Sequence, residues 1–111
     1  MTPNDLKTVI EDAWSEETCA QWQPDNPAFG QGNVTALVVH DIFGGEIVKT
    51  EAPIGWHFYN IVDGLRYDLA SGQFLEPLGY SDDPSSREEA LAGIEEKYYL
   101  ALKAKLKEVL G

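Results

Sequence analysis

A chain of 111 residues is long enough for a single globular domain, residues 1–111, with a core that is stable unaided. Nineteen acids against eight bases give a formal charge of −11, which sets the protein against nucleic acid and anionic lipid, since both would repel it. A hydrophobic content of 43% with three tryptophans argues against disorder, and a single cysteine rules out an internal disulfide. With no apolar run of membrane-spanning length, the expected location is a reducing cytoplasm.

The first predicted helix runs from Thr2 to about Thr18, with Leu6, Val9, Ile10, Ala13 and Trp14 at helical spacing and Thr2-Pro3 as cap and first-turn proline. Cys19 ends this stretch beside Glu16 and Glu17. Acidic rather than cationic neighbours disfavour a reactive sulfur, so Cys19 reads as a packed residue and not as a nucleophile. A loop, Gln23-Pro24-Asp25-Asn26-Pro27, leads to Gly30-Gln31-Gly32-Asn33.

The second helix begins near Asn33. Val34 to Phe43 is apolar on almost every face and stops at Gly44-Gly45, which marks a helix that belongs inside a core. Three strands follow: Glu46 to Thr50, Trp56 to Val62, and Leu65 to Leu69. Asp63-Gly64 between the last two is a strong two-residue hairpin signal. If these two residues are the turn, Val62 faces Leu65, Ile61 faces Arg66, Asn60 faces Tyr67 and Tyr59 faces Asp68. His57 and Asp68 are then diagonal neighbours with side chains on one sheet face. A carboxylate so placed can accept the imidazole N–H, fix its tautomer and raise its basicity.

Leu75 to Pro84 is a Pro-, Gly- and Asp-rich connection. Ser86-Arg87-Glu88-Glu89 fits a capping box. Beyond it Leu91, Ile94, Tyr98, Leu102, Leu106 and Val109 mark one buried stripe, and Gly93 is placed to divide the helix into a short and a longer piece.

Other constellations are weaker. His40 and Asp41 are adjacent near the end of the second helix and diverge, which suits no bidentate metal site, and two histidines with one thiol make zinc improbable. Asp82-Asp83 with Glu88-Glu89 lack the ligand spacing of a calcium loop and read as a solvated acidic helix start; Lys97, Lys103, Lys105 and Lys107 complement the dipole at the other end. No metal and no cofactor is expected. Gln31 is a candidate oxyanion donor, with capping or loop bonding as the alternative. Trp56, Tyr59 and Asn60 are candidates to line a ligand pocket around His57, with core packing the simpler role for the aromatics.

Several blocks recur together as in a known family. Trp14-Ser15-Glu16-Glu17-Thr18, Gly30-Gln31-Gly32-Asn33-Val34-Thr35-Ala36-Leu37-Val38-Val39, Phe43-Gly44-Gly45-Glu46-Ile47, His57-Phe58-Tyr59-Asn60, Asp68-Leu69-Ala70 and Gln73-Phe74 resemble, in order and separation, the YunG-like family of small bacterial proteins. That family's pattern carries Gly-Gln-Cys at the second block and Asp-Leu-Thr at the fifth. The family in turn resembles a miniature transglutaminase-like and papain-like fold, in which a Cys at a helix N-terminus meets a His and an Asp from a small antiparallel sheet. The resemblance implies that His57 and Asp68 keep their places, that Gly32 occupies the nucleophile position and that Ala70 replaces the Thr.

The expected architecture is α+β: a central buried helix packed on a three-stranded antiparallel sheet, with a papain/transglutaminase-like core, flanked by N- and C-terminal helices. The expected role is non-catalytic, a degenerate Cys-His-Asp site binding a peptide or small amide in a shallow cleft near Gly32, His57 and Asp68. Two alternatives stand beside it. One is a cysteine-type hydrolase or acyl-transferase whose nucleophile is replaced at Gly32. The other is a protein-protein interaction module resting on an exposed Tyr99 beside Tyr98 and on the long last helix.

Overall fold

A computed structural model describes residues 1–111. The chain opens with a 3-10 turn, Pro3–Leu6, started by Thr2, whose backbone N–H donates to Asp5 Oδ2 at 2.7 Å. The first α-helix, α1, is Lys7–Ala13 and ends sooner than its periodicity predicts. Trp14 is already extended, and the Thr18 hydroxyl takes the Ser15 N–H at 3.0 Å while returning a bond to the Ser15 carbonyl. Short hydroxyl side chains that bond nearby backbone compete with helix in this way. The turn frees Trp14 to bury its indole and donate from Nε1 to Thr35 Oγ1 at 3.0 Å.

Helix α2, Gly32–Phe43, is the axis of the core. Every residue from Val34 to Val39 is buried, as its all-round apolar sequence requires. At its end Gly44 and Gly45 both adopt positive φ, 72° and 76°, and a side chain at Gly45 would overlap the Ile61 carbonyl. Strand β1, Glu46–Ala52, follows directly and pairs antiparallel with β2, Gly55–Val62. Asp63 (φ 53°) and Gly64 (φ 78°) then return the chain into β3, Leu65–Tyr67. Both φ values are positive, as a type I′ turn demands. The pairs Val62↔Leu65, Ile61↔Arg66 and Asn60↔Tyr67 are those the hairpin rule predicts. The ladder stops there. The strand is shorter than the run Leu65–Leu69 predicts, and Asp68 lies just beyond its end.

The sheet has four strands, not three, in the order β3-β2-β1-β4. The addition, β4, is Asp83–Pro84, two residues on the outer edge of β1 opposite Val48 and Lys49. A two-residue strand carries no alternation to read, and proline is tolerated there because the edge needs no further donor. Phe58, Asn60 and Val62 form the face of β2 packed on α2, where Asn60 Nδ2 donates to the Ala36 carbonyl at 3.0 Å. His57 and Tyr59 occupy the other face, under the segment that runs from Phe74 to Asp82.

The C-terminal helical region breaks at Gly93, as its sequence predicts, into α3, Arg87–Ala92, and α4, Glu96–Leu110. Ser86 Oγ accepts the Glu89 N–H at 3.1 Å, but the Glu89 carboxylate turns to Lys49 and Ser85 rather than closing the capping box. On α4 the buried residues are Tyr99, Leu102 and Leu106. Tyr98 is half-buried and Val109 is exposed, so the predicted stripe is displaced by one position at its start. The break resets the helical phase, and Tyr99 can be buried because its hydroxyl donates to Asp41 and accepts from Arg87. No helix is long and apolar enough to cross a membrane.

Candidate functional site

The start of α2 and the start of β2 meet. A Cβ added to Gly32 would lie 2.9 Å from His57 Nδ1, 3.1 Å from its Cε1 and 3.4 Å from the Phe58 carbonyl oxygen. The imidazole therefore fills part of the space that a side chain at position 32 would take. On its far side, His57 Nε2 is 2.7 Å from Asp68 Oδ2. The histidine and carboxylate side chains are 3% and 5% exposed, so little water competes for their bond. A carboxylate only accepts, so Nε2 carries the proton and donates it; in the neutral imidazole Nδ1 is then the acceptor, toward Gly32.

Tertiary structure brings this pair together after the ladder has ended. Asp68 Oδ2 also accepts the Tyr80 hydroxyl at 2.8 Å. The Phe74 ring stands edge-on to the imidazole, with centroids 4.9 Å apart, and Tyr59 lies nearly parallel to it at 6.1 Å. Gln73 Oε1 accepts the Gly30 N–H at 3.3 Å and its Nε2 donates to the Ala70 carbonyl at 3.0 Å, which ties the loop before α2 to the loop after β3.

Other predicted site residues divide. Gln31 is fully buried at the cap position of α2, with Oε1 3.0 Å from Thr18 Oγ1, whose single proton is shared with the Ser15 carbonyl, while Nε2 has no acceptor. Tyr59 is buried and donates to Asp82 Oδ1 at 2.6 Å, and burial, then that bond, raise its pKa well above the ordinary phenol value. Asn60 is buried on the face toward α2, where it bonds helix to sheet. Trp56 neither lines the site nor joins the core: it is 47% exposed and lies under Lys49 Nζ, 4.4 Å from its ring centroid. It neighbours His57 in the strand and so points to the opposite face. Cys19 is buried beside Gly30, where a Cβ would come within 2.6 Å of its sulfur.

The shallow cleft expected over Gly32, His57 and Asp68 is closed at those residues by their burial. A groove of about 560 Å³ lies beyond Phe74, lined by Phe29, Ile54, Gln73, Phe74, Leu75 and Leu78 among others. Phe74 stands at the join, touching both groove and imidazole.

Tyr80 and Phe74 are the side chains at this site that sequence reading did not assign. Gln73-Phe74 was visible as a block of the family-like pattern, whereas Tyr80 lies in an irregular Gly- and Asp-rich connection with no period to place it. The acidic residues near β4 are paired: Asp82 with Arg66 at 2.8 Å and Glu89 with Lys49 at 2.6 Å. Each cation holds its carboxylate below the usual pKa, assisted by Tyr59 at Asp82 and Ser85 at Glu89.

An α+β protein with a four-stranded antiparallel sheet on a buried helix, and a histidine-carboxylate pair at that helix's start, is the class these features define. The chain belongs to the YunG family, whose model, described as YunG protein, matches residues 2–111. It is 43% identical over 98 residues to the protein "Uncharacterized protein YunG" of Bacillus subtilis (strain 168), covering 88% of this chain and 85% of that one. No solved structure matches.

Proposed function

We propose that this chain derives from a Cys-His-Asp site of the transglutaminase-like and papain-like kind, has lost covalent catalysis, and binds a peptide or small amide beside the retained pair. The observation that carries this reading is the line Gly32, His57, Asp68, in which the first residue of a buried helix sits against Nδ1 while the carboxylate holds Nε2. A thiol at a helix N-terminus beside an imidazole has a depressed pKa and attacks carbonyl carbon. Glycine supplies no nucleophile. A histidine base alone contributes about 10²–10⁴-fold, short of what amide cleavage requires.

The groove beyond Phe74 gives such a ligand a place to lie, with apolar walls for a side chain and the Phe74 ring between it and the imidazole. The reading as an interaction module loses one of its two supports, because Tyr99 is 6% exposed, and keeps the other, the long last helix Glu96–Leu110.

The test is Gly32→Cys, alkylated with iodoacetamide across pH. A thiol midpoint well below the unperturbed ~8.5, returned to it by His57→Ala, supports a dormant site. A midpoint at the ordinary value in both variants ends the reading. For binding, calorimetric titration with N-acetyl amino-acid amides should show heats that His57→Ala abolishes.

A further inference from the structure

The carboxylate that orients His57 is itself oriented from a second direction. Asp68 Oδ2 accepts His57 Nε2 at 2.7 Å and the Tyr80 hydroxyl at 2.8 Å, so one oxygen holds both donors. Tyr80 comes from a different segment. It packs edge-on to Tyr59 with centroids 4.9 Å apart, and the Arg66 guanidinium lies 4.6 Å from its ring centroid. Its neighbours in sequence are also tied to the sheet: the Ser81 N–H donates to Thr50 Oγ1 at 3.1 Å and the Asp82 N–H to the Tyr59 hydroxyl at 2.8 Å. The Tyr80 ring is thus held by packing independent of its hydroxyl.

We infer that Tyr80 is a positioning residue of this site, whose hydroxyl fixes the Asp68 carboxylate so that His57 stays in the Nε2–H tautomer with Nδ1 free to accept on the Gly32 side. A phenol that remains protonated can do this continuously. Burial first, and the bond to Asp68 second, raise the Tyr80 pKa well above the ordinary phenol value, so the hydroxyl is a donor throughout the neutral range. A buried carboxylate with two charge-assisted bonds is confined, and with one bond it regains rotational freedom. The inference builds on the reading that His57 Nδ1 is the working atom of the site, but its first test concerns only the imidazole.

Nitrogen-15 spectra of the unmodified chain should give His57 shifts of the Nε2–H tautomer. Asp68→Asn, which offers a donor as well as an acceptor, should displace them toward the Nδ1–H form. Tyr80→Phe keeps the ring and removes one hydroxyl, and should move the His57 shifts toward a mixture of tautomers while the fold, followed by circular dichroism, is retained. Unchanged His57 shifts in a folded Tyr80→Phe variant, even one of lower stability, would overturn the inference. If Tyr80→Phe does not fold, the unmodified sequence with 3-fluorotyrosine, whose hydroxyl is the stronger donor, should sharpen the Nε2–H proton signal, and no change there would count against it.

The second readout uses the Gly32→Cys background. Tyr80→Phe should slow alkylation at neutral pH about tenfold, the scale of one hydrogen bond to a charged group, and should have no effect once His57→Ala is also present. Slowing that persists without His57 would mean a merely structural role. If Gly32→Cys is not activated at all, the proposed function fails, while the tautomer measurement still decides the role of Tyr80.

Discussion

Gly32 and His57 are in contact of an unusual kind: the ring Nδ1 lies 2.9 Å from the point where any other residue at position 32 would place its Cβ. The imidazole is held from behind by Asp68 and from the side by Phe74, so it has little freedom to retreat. Glycine here does more than omit a nucleophile. It permits the close approach of helix start and histidine.

That contact fixes the effect of the smallest substitution. Gly32→Ala gains roughly 0.5–1 kcal/mol from reduced backbone freedom but meets an overpacking cost of about 1–3 kcal/mol. A net loss of about 1 kcal/mol in urea unfolding is expected. In a His57→Ala background the space is open, and the same substitution should stabilise. Equal effects in both backgrounds would show that the ring yields without cost.

Trp14 and Thr35 offer a second test. The indole N–H donates to Thr35 Oγ1 in a buried setting, 3.0 Å away. Thr35→Val keeps the shape and strands the donor, so a loss of about 1–3 kcal/mol is expected. Adding Trp14→Phe removes the stranded group, and the double variant should be less destabilised than the sum of the two single ones.

Arg87 joins three helices. Its guanidinium donates to the Leu37 carbonyl at 3.3 Å, to His40 Nδ1 at 3.0 Å and to the Tyr99 hydroxyl at 3.0 Å, and pairs with Asp41 at 2.9 Å. A lysine is a point charge with no planar fork and cannot meet all four. Arg87→Lys should cost about 1–2 kcal/mol, discounted for partial exposure, and hydrogen exchange should quicken in α3 and the last turn of α2 before it does in the sheet.

Stability should fall at both ends of the pH scale, for different reasons. Asp82 is held below its ordinary value by Arg66 and Tyr59, so its contribution is present above the unfolded value of ~3.9 and is lost as pH falls below it. Tyr59 and Tyr80 are raised, chiefly by burial, so the folded state resists their ionisation; that contribution is complete below ~10 and is lost as pH rises above it. Urea midpoints measured from pH 8 to beyond this value should therefore decline, and less steeply in Tyr59→Phe. An identical slope would remove Tyr59 from the account.

The elements legible in the sequence are those whose cause is local. Asp63-Gly64 dictates a turn with two positive φ values, and the register from Asn60 to Tyr67 follows by counting. The apolar run from Val34 to Val39 can only be a buried helix, and Gly93, costly inside a helix, falls where the last helical region divides. Other features have distant causes. Trp14 leaves its helix to reach Thr35, Tyr99 is buried because Arg87 and Asp41 answer its hydroxyl, and two residues at Asp83 and Pro84 become a strand only because β1 presents an edge. The same division runs through the site. His57 and Asp68 were nameable from a hairpin and a period of two, but Tyr80 and Phe74 reach them from an irregular loop whose path is set by packing against the sheet. Periodicity reports which face a residue takes within its own element; only the assembled core decides what stands opposite.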